Sequence, residues 1–217
     1  MNYCQSLCLT IQRMCNSGGS LLPAEYQQVE YLQGYAAPYI NTGVEGWENL
    51  IVKIDQKIDR LQHSEFDFFG SVDLNMGENS FNYAGIFSSL SGFVLQIGHH
   101  YIQYGTKDYN RHTHTYDGIN RVAYLDNNTP VSGASLYWYN TQQSVGKPFR
   151  LFMRHSNGTN AGYVSIYRAT FNRGGTYIRD FVPCYRKSDN KPGMYDLVTK
   201  VFFTNAGNGE FAIGPDI

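Results

Sequence analysis

The sequence predicts an all-β protein: an antiparallel β-sandwich, preceded by a short N-terminal helical segment. Three observations predict it. Charged residues make up only 16% of the chain and aromatics 15%, with 18 Tyr and 13 Phe, whereas soluble proteins average about 25% charged residues. A polar fraction built from Asn, Gly, Ser, Thr and Tyr suits strands and turns better than helix surfaces. Short aromatic and β-branched runs recur along the chain, many separated by turn chemistry such as Asp117-Gly118, Asp126-Asn127-Asn128, Asn157-Gly158 and Gly174-Gly175. A chain of 217 residues buries about 70% of its unfolded surface, so it needs neither disulfide nor metal to hold together.

The first element is the leader. Cys4, Cys8, Ile11 and Cys15 fall at spacings of four, three and four, which on a helix form one stripe flanked by Leu7 and Met14. A helix of about fifteen residues is marginal alone in water. The stripe therefore predicts a docked anchor, covered by the sandwich, by other copies of the chain or by another protein. Asn16-Ser17-Gly18-Gly19-Ser20 reads as a flexible linker. The expected division is an anchoring segment and linker over 1–20 and one β-sandwich domain over 21–217.

Strand candidates follow in order: Tyr26–Leu32, Tyr39–Thr42, Leu50–Ile58, Phe66–Ser71, Phe81–Phe87, Gly92–Ile97 and Tyr101–Gly105. Then come Arg121–Asp126, Ser135–Tyr139, Phe149–Arg154, Tyr163–Thr170, Tyr177–Val182 and Val201–Thr204. Leu50–Ile58 alternates most clearly, with Val52, Ile54 and Ile58 on one side and Lys53, Asp55, Lys57 and Asp59 on the other. A dozen short strands at nearly regular spacing point to a sandwich or jelly roll.

The ends of the chain carry more specific signals. The opening runs Leu22-Pro23-Ala24-Glu25-Tyr26-Gln27-Gln28-Val29-Glu30-Tyr31-Leu32, then Tyr39-Ile40-Asn41-Thr42-Gly43. The closing runs Ile178-Arg179-Asp180-Phe181-Val182-Pro183-Cys184, then Gly193-Met194-Tyr195-Asp196-Leu197-Val198, then Phe202-Phe203-Thr204-Asn205-Ala206-Gly207-Asn208-Gly209. Together these resemble the bracket at the ends of laminin-G-like, concanavalin-type jelly-roll domains of phage structural proteins and gut-bacterial surface proteins. The resemblance covers roughly 60 residues at the two ends and reaches the middle through strand rhythm and Phe68-Phe69-Gly70-Ser71. It departs at Leu32-Gln33-Gly34-Tyr35-Ala36-Ala37-Pro38, where a Ser/Thr-Gly-rich turn would be expected. The family implies a β-sandwich with a binding or structural role, often on a virion, and no fixed ligand site. Within the closing motif, Asp180 and Asp196 are expected to accept backbone hydrogen bonds. Cys184 is expected as a small buried residue at a strand end, and Tyr195 belongs to the same closing motif.

Composition excludes several classes. A net charge of −1 and a pI near 6.6 lack the footprint of nucleic-acid binding. No stretch of 18 apolar residues suggests a membrane span. Met1–Cys15 has no basic start and only a very short apolar stretch, which predicts synthesis in a cytoplasm without Sec export. The C-x3-C-x6-C leader and the distant Cys184 fit neither a disulfide scaffold nor a zinc site, and read as reduced thiols.

Concanavalin-type jelly rolls include glucanases, whose chemistry needs paired carboxyl groups. One glucanase pattern on this fold is E-x-D-x-x-E along a strand, which supplies the paired carboxyl groups of a retaining mechanism; here Glu65 and Asp67 are present, but Gly70 stands where the third carboxylate belongs. Gly-x-Ser-x-Gly and a glycine-rich phosphate loop before a helix are absent. His99, His100, His112 and His114 crowd into sixteen residues, and His112-x-His114 on a strand would aim both rings to one side. No matching ligand pair completes a zinc site, although Asp108 and Asp117 flank the two rings, so they read as polar histidines on an exposed loop and strand.

Carbohydrate recognition needs aromatic faces and polar groups for hydroxyls. The polar span His99–Asn120 supplies them in Tyr101, Tyr104, Asp108, Tyr109, His112, His114 and Tyr116, with Asn110 and Arg111. Tyr137-Trp138-Tyr139 shows why such a surface also reads as interface or core rim, since alternation sends Trp138 opposite both tyrosines. The resulting expectation is a non-enzymatic, cofactor-free phage virion protein, structural, fibre-like or decorating. Residues 1–15 would join it to other virion proteins or to its own copies, and its loops could contact host surface polysaccharide. A bacterial cell-surface carbohydrate-binding module is the alternative, and a glucanase-like hydrolase the third reading.

Overall fold

Strand alternation and local shifts of register build the architecture. The computed structural model describes residues 21–35, 37–46, 49–60, 66–72, 83–88, 92–97, 100–120, 122–126, 147–153 and 163–217. In chain order the strands are β1 (Tyr26–Gln28), β2 (Leu32–Tyr35), β3 (Ile40–Asn41), β4 (Leu50–Ile58), β5 (Phe66–Val72) and β6 (Tyr83–Ser88). Next come β7 (Phe93–Ile97), β8 (His100–Tyr104), β9 (Arg111–Asp117), β10 (Val122–Leu125) and β11 (Arg150–Leu151). The chain closes with β12 (Val164–Arg173), β13 (Thr176–Arg186), β14 (Lys191–Asp196), β15 (Val201–Thr204) and β16 (Glu210–Ile213). Among the described residues there is no helix. The N-terminal helical segment and its Cys4/Cys8/Ile11/Cys15 stripe lie outside the described residues, as does the Ser135–Tyr139 strand.

Two antiparallel sheets form a sandwich-like pair. The larger runs β10-β9-β4-β12-β13-β14-β15, with β1 on β13 and β2 between β12 and β16; the smaller runs β3-β11-β5-β6-β7-β8. Along β4, Leu50, Val52, Ile54, Gln56 and Ile58 are buried, while Lys53 is exposed and Asp55 and Lys57 are partly so. That is the period-2 pattern of a strand with one face on the core. Facing aromatics fill the space between the sheets. Phe69 stacks on Phe149 at 4.8 Å, meets Phe171 edge-on at 5.7 Å, and the row continues through Phe181 to Phe203.

Bulges reconcile the sequence with this alternation. Adjacent Phe68 and Phe69 cannot both face one way in a regular strand, yet both are buried. The β5–β6 register shifts between Asp67 and Phe69, so the extra residue brings both rings inward. A second shift, between Ile166 and Arg168 against β4, leaves Val164, Ile166, Ala169 and Phe171 buried and Tyr167 and Arg168 outside.

The opening and closing segments close the sheet together. Tyr26 pairs with Arg186 and Gln28 with Cys184, and Val29 bridges Asp216. The resulting outer face holds a second small core of Leu22, Val182, Cys184 and Tyr195, with Tyr26, Leu197 and Phe202 against it. The expected single strand Tyr26–Leu32 is interrupted instead. Val29 N–H donates to the Pro183 carbonyl and Glu30 N–H to the Pro215 carbonyl, so the chain switches neighbours there before β2 begins.

Candidate functional site

The polar span around His99–Asn120 is not one long loop. Residues 111–117 form β9, hydrogen-bonded between β4 and β10 in the larger sheet. Its inward positions are His112, His114 and Tyr116, polar aromatics that hide the usual apolar alternation. Only residues 105–110 connect β8 to β9 at the surface.

The structure separates the seven expected ligand residues. Tyr104, His114 and Tyr116 are 2%, 0% and 2% exposed and face the interior, so they present nothing to a ligand. Tyr109 is exposed at 54%, Asp108 stands beside it, and His112 is largely buried beneath. Tyr101 lies in β8, and its side chain is outside the described residues. The side chains of Glu65 and Asp67 also lie outside them. Gly70 pairs with Arg150 and Gly85 inside the smaller sheet.

His114 sits in an aromatic box. Its ring lies 4.5 Å from Phe93 and 5.3 Å from Phe68, measured between centroids. The Gln56 amide nitrogen reaches His114 Nε2 at 2.8 Å, and the Tyr104 hydroxyl lies 2.8 Å from Nδ1. An amide N–H donates, so Nε2 accepts and Nδ1–H donates to the tyrosine oxygen, the pattern of a neutral ring. Burial, and then the neighbouring charge of His112, push the His114 pKa down to about 3. Burial also raises the Tyr104 hydroxyl, keeping it protonated.

His112, two residues earlier, has the opposite surroundings. Its Nδ1 lies 2.8 Å from Asp126 Oδ2 and its Nε2 2.9 Å from Asp108 Oδ1. Two acceptor-only carboxylates on both ring nitrogens require both nitrogens to donate, which defines an imidazolium. Burial disfavours that charge, but the hydrogen bonds and charges of Asp126 and Asp108 win, and the His112 pKa is raised. Burial likewise opposes the carboxylates, yet hydrogen bonds from Asn110 and His112 lower Asp108, and those from Thr113 and His112 lower Asp126.

Local chain chemistry fixes both carboxylates. Asp108 Oδ1 accepts from Asn110 N–H at 2.7 Å and Oδ2 from the Asn110 amide at 2.8 Å, an Asx turn that shapes the loop. Asp126 has φ 55°, accepts from Thr113 N–H at 2.9 Å, and returns its own N–H to the Thr113 carbonyl. The two acids flank the ring on opposite sides and do not converge on one point. Among the described residues no group of three His, Cys, Asp or Glu is placed to hold a metal ion.

On the outer face of β9, Arg111 makes a bidentate pair with Asp55 at 2.7 and 2.6 Å. Its guanidinium stacks 3.8 Å over the Tyr167 ring, which the second bulge re-aims toward it. Sequence reasoning missed this pair, the Asp126 contact and Gln56. Gln56 did leave a signal: a polar residue on the apolar side of the clearest alternating strand, which calls for a buried partner.

The closing motif is held differently at its two acids. Asp196, fully buried, accepts from Asp180 N–H at 2.8 Å, Val198 N–H at 3.1 Å and the Thr199 hydroxyl at 2.6 Å. Asp180 instead takes Arg168 in a bidentate pair at 2.9 and 2.7 Å. Cys184 is buried beside Tyr195, and burial pushes its thiol up to about 12, which removes its reactivity near neutral pH.

No protein-family model matches the chain, and no curated protein is significantly similar to it.

Proposed function

We propose that the chain is a non-catalytic, virion-associated protein of a phage, anchored through residues 1–15, with a laminin-G-like jelly roll that turns its 105–110 loop outward. The observation that carries this reading is the meeting of the two end motifs. The opening Tyr26–Gln28 pairs with Cys184–Arg186, and Asn205 Oδ1 accepts from Tyr39 N–H at 3.1 Å. The segments that carry the family resemblance thus form one structural unit in space, with Leu22 packed into the small core beside Cys184 and Tyr195. The engaged state of the acids supports a non-catalytic role: Asp55, Asp108, Asp126, Asp180 and Asp196 are each held by arginine, histidine or backbone. A general acid or base needs a free proton site within reach of substrate, and His112 has both nitrogens occupied.

Outward contact rests on Tyr109, an exposed aromatic next to Asp108 and Asn110, the residue types that meet sugar rings and hydroxyls. The test compares the full chain with a variant lacking residues 1–20 by sedimentation with assembled particles and by oligomer mass. We expect the shortened chain to stay folded by circular dichroism and to lose incorporation. Equal assembly of both would remove the anchor.

A further inference from the structure

We propose that His112 is a pH-operated latch, which ties the 105–110 loop to the end of β10 through Asp108 and Asp126 when doubly protonated and lets the loop go when it loses a proton. The geometry alone demands the charged ring for closure. A neutral imidazole keeps one N–H, so one of its nitrogens would turn a lone pair toward a carboxylate at under 3 Å. The two acids differ in how firmly they are placed. Asp126 is tied to Thr113 by two further hydrogen bonds, through its carboxylate and its own N–H. Both side chains reach solvent, Asp108 at 39% and Asp126 at 49%, so the difference lies in their bonds: Asp108 lies on the surface connection and its other bonds run to Asn110 within the same loop. The remaining proton therefore stays on Nδ1 with Asp126, and the loop bearing Asp108 and Tyr109 is the part released.

Among the described residues, Asp108 and Asp126 are the charged groups bonded to the His112 ring. β4 offers the neutral Gln56 as the cross-strand neighbour, and β7 offers Phe93, edge-on at 5.7 Å. From β9, His114 faces the same interior with its neutral ring bound to Gln56 and to Tyr104 of β8. Arg111 is turned to the outer face, against Asp55 and Tyr167. Lys107 is the loop's own cation. The direction of His112's titration agrees with the geometry: its carboxylate neighbours raise its pKa, so the latch is closed at mildly acidic pH and opens as pH rises through that raised value.

The test follows the full, isotope-labelled chain by imidazole NMR and by amide deuterium exchange corrected for intrinsic rates. We expect the His112 ring to titrate above the ordinary histidine value. Exchange within 106–110 should rise about tenfold across the same midpoint, the factor that a lost charge-assisted hydrogen bond implies, while β13 amides stay constant. Asp108→Asn should lower the midpoint and carry the exchange step with it; His112→Gln should abolish the step. Asp108 sits on an exposed loop, so its variant reports even if His112→Gln fails to fold. A His112 midpoint at or below the ordinary value would overturn the latch, as would an exchange step that ignores Asp108→Asn.

Discussion

His112 and His114 share one face of β9, their ring centroids 6.3 Å apart, and occupy opposite protonation states. His112 is an imidazolium between two carboxylates, and His114 is a neutral ring inside an aromatic box. Each therefore gives stability a pH dependence of opposite sign. His114, lowered from 6.5 to about 3, contributes fully above 6.5, and its contribution falls away as pH drops toward 3. His112, raised above 6.5, contributes fully below 6.5 and loses its contribution as pH rises through its folded value.

The first prediction follows from that pair. Urea denaturation across pH should show stability falling as pH drops from 6.5 toward 3. Asp108 and Asp126, both lowered, add their own loss as pH falls through their folded values. His114→Phe should flatten the limb between 6.5 and 3. It should also lower the neutral plateau by about 1–3 kcal/mol, the cost of leaving Gln56 and the Tyr104 hydroxyl unpaired. An acid limb unchanged by the substitution would exclude His114 as its source.

Asp196 anchors the β14–β15 turn. Asp196→Ala would strand the part-buried Asp180 N–H together with Val198 N–H and the Thr199 hydroxyl. The expected loss is about 2–4 kcal/mol, or roughly 5–15 °C in melting temperature for a chain of this size. Thermal unfolding by circular dichroism measures it, and an unchanged melt would refute the role.

Gly207 allows the second motif contact to form. A Cβ there would stand 2.5 Å from the Ala37 carbonyl oxygen and 2.6 Å from Tyr39 Cδ1. Backbone on one side leaves little room to adjust, so Gly207→Ala should destabilise by about 1–3 kcal/mol. Calorimetry of the variant checks this, with no loss as the contrary result.

Tyr109 separates the proposed surface recognition from stability. At 54% exposure, Tyr109→Ala should change unfolding free energy by less than about 0.5 kcal/mol. Surface recognition through the 105–110 loop would make the same variant fail in cell-binding assays. Full binding by a normally folded variant would move the contact surface elsewhere.

Much of the fold was legible because one-sided burial writes itself as alternation. Leu50–Ile58 and Val201–Thr204 match their strands residue for residue. β9 was obscured because its inward residues are His112, His114 and Tyr116, which alternate polar with polar. β14, beginning Lys191-Pro192-Gly193, and β16 were obscured too; Pro and Gly read as turn residues, and strand pairing by distant segments overrode them. The bulges at Phe68 and Tyr167 depend on register against a partner strand, which local sequence does not carry. The site was legible as a region and not as side-chain roles. Residue type suggested sugar platforms, but inward orientation made Tyr104, His114 and Tyr116 parts of the core. Asp126, at the head of a turn motif, gave no local sign of its bond to His112.

The most direct measurement is binding of the full chain to a panel of bacterial cells and purified surface polysaccharides, with released reducing sugar assayed in the same wells. A non-catalytic recognition protein predicts saturable binding, weakened by Tyr109→Ala, and no sugar release. Sustained release of reducing sugar by the purified chain would contradict it.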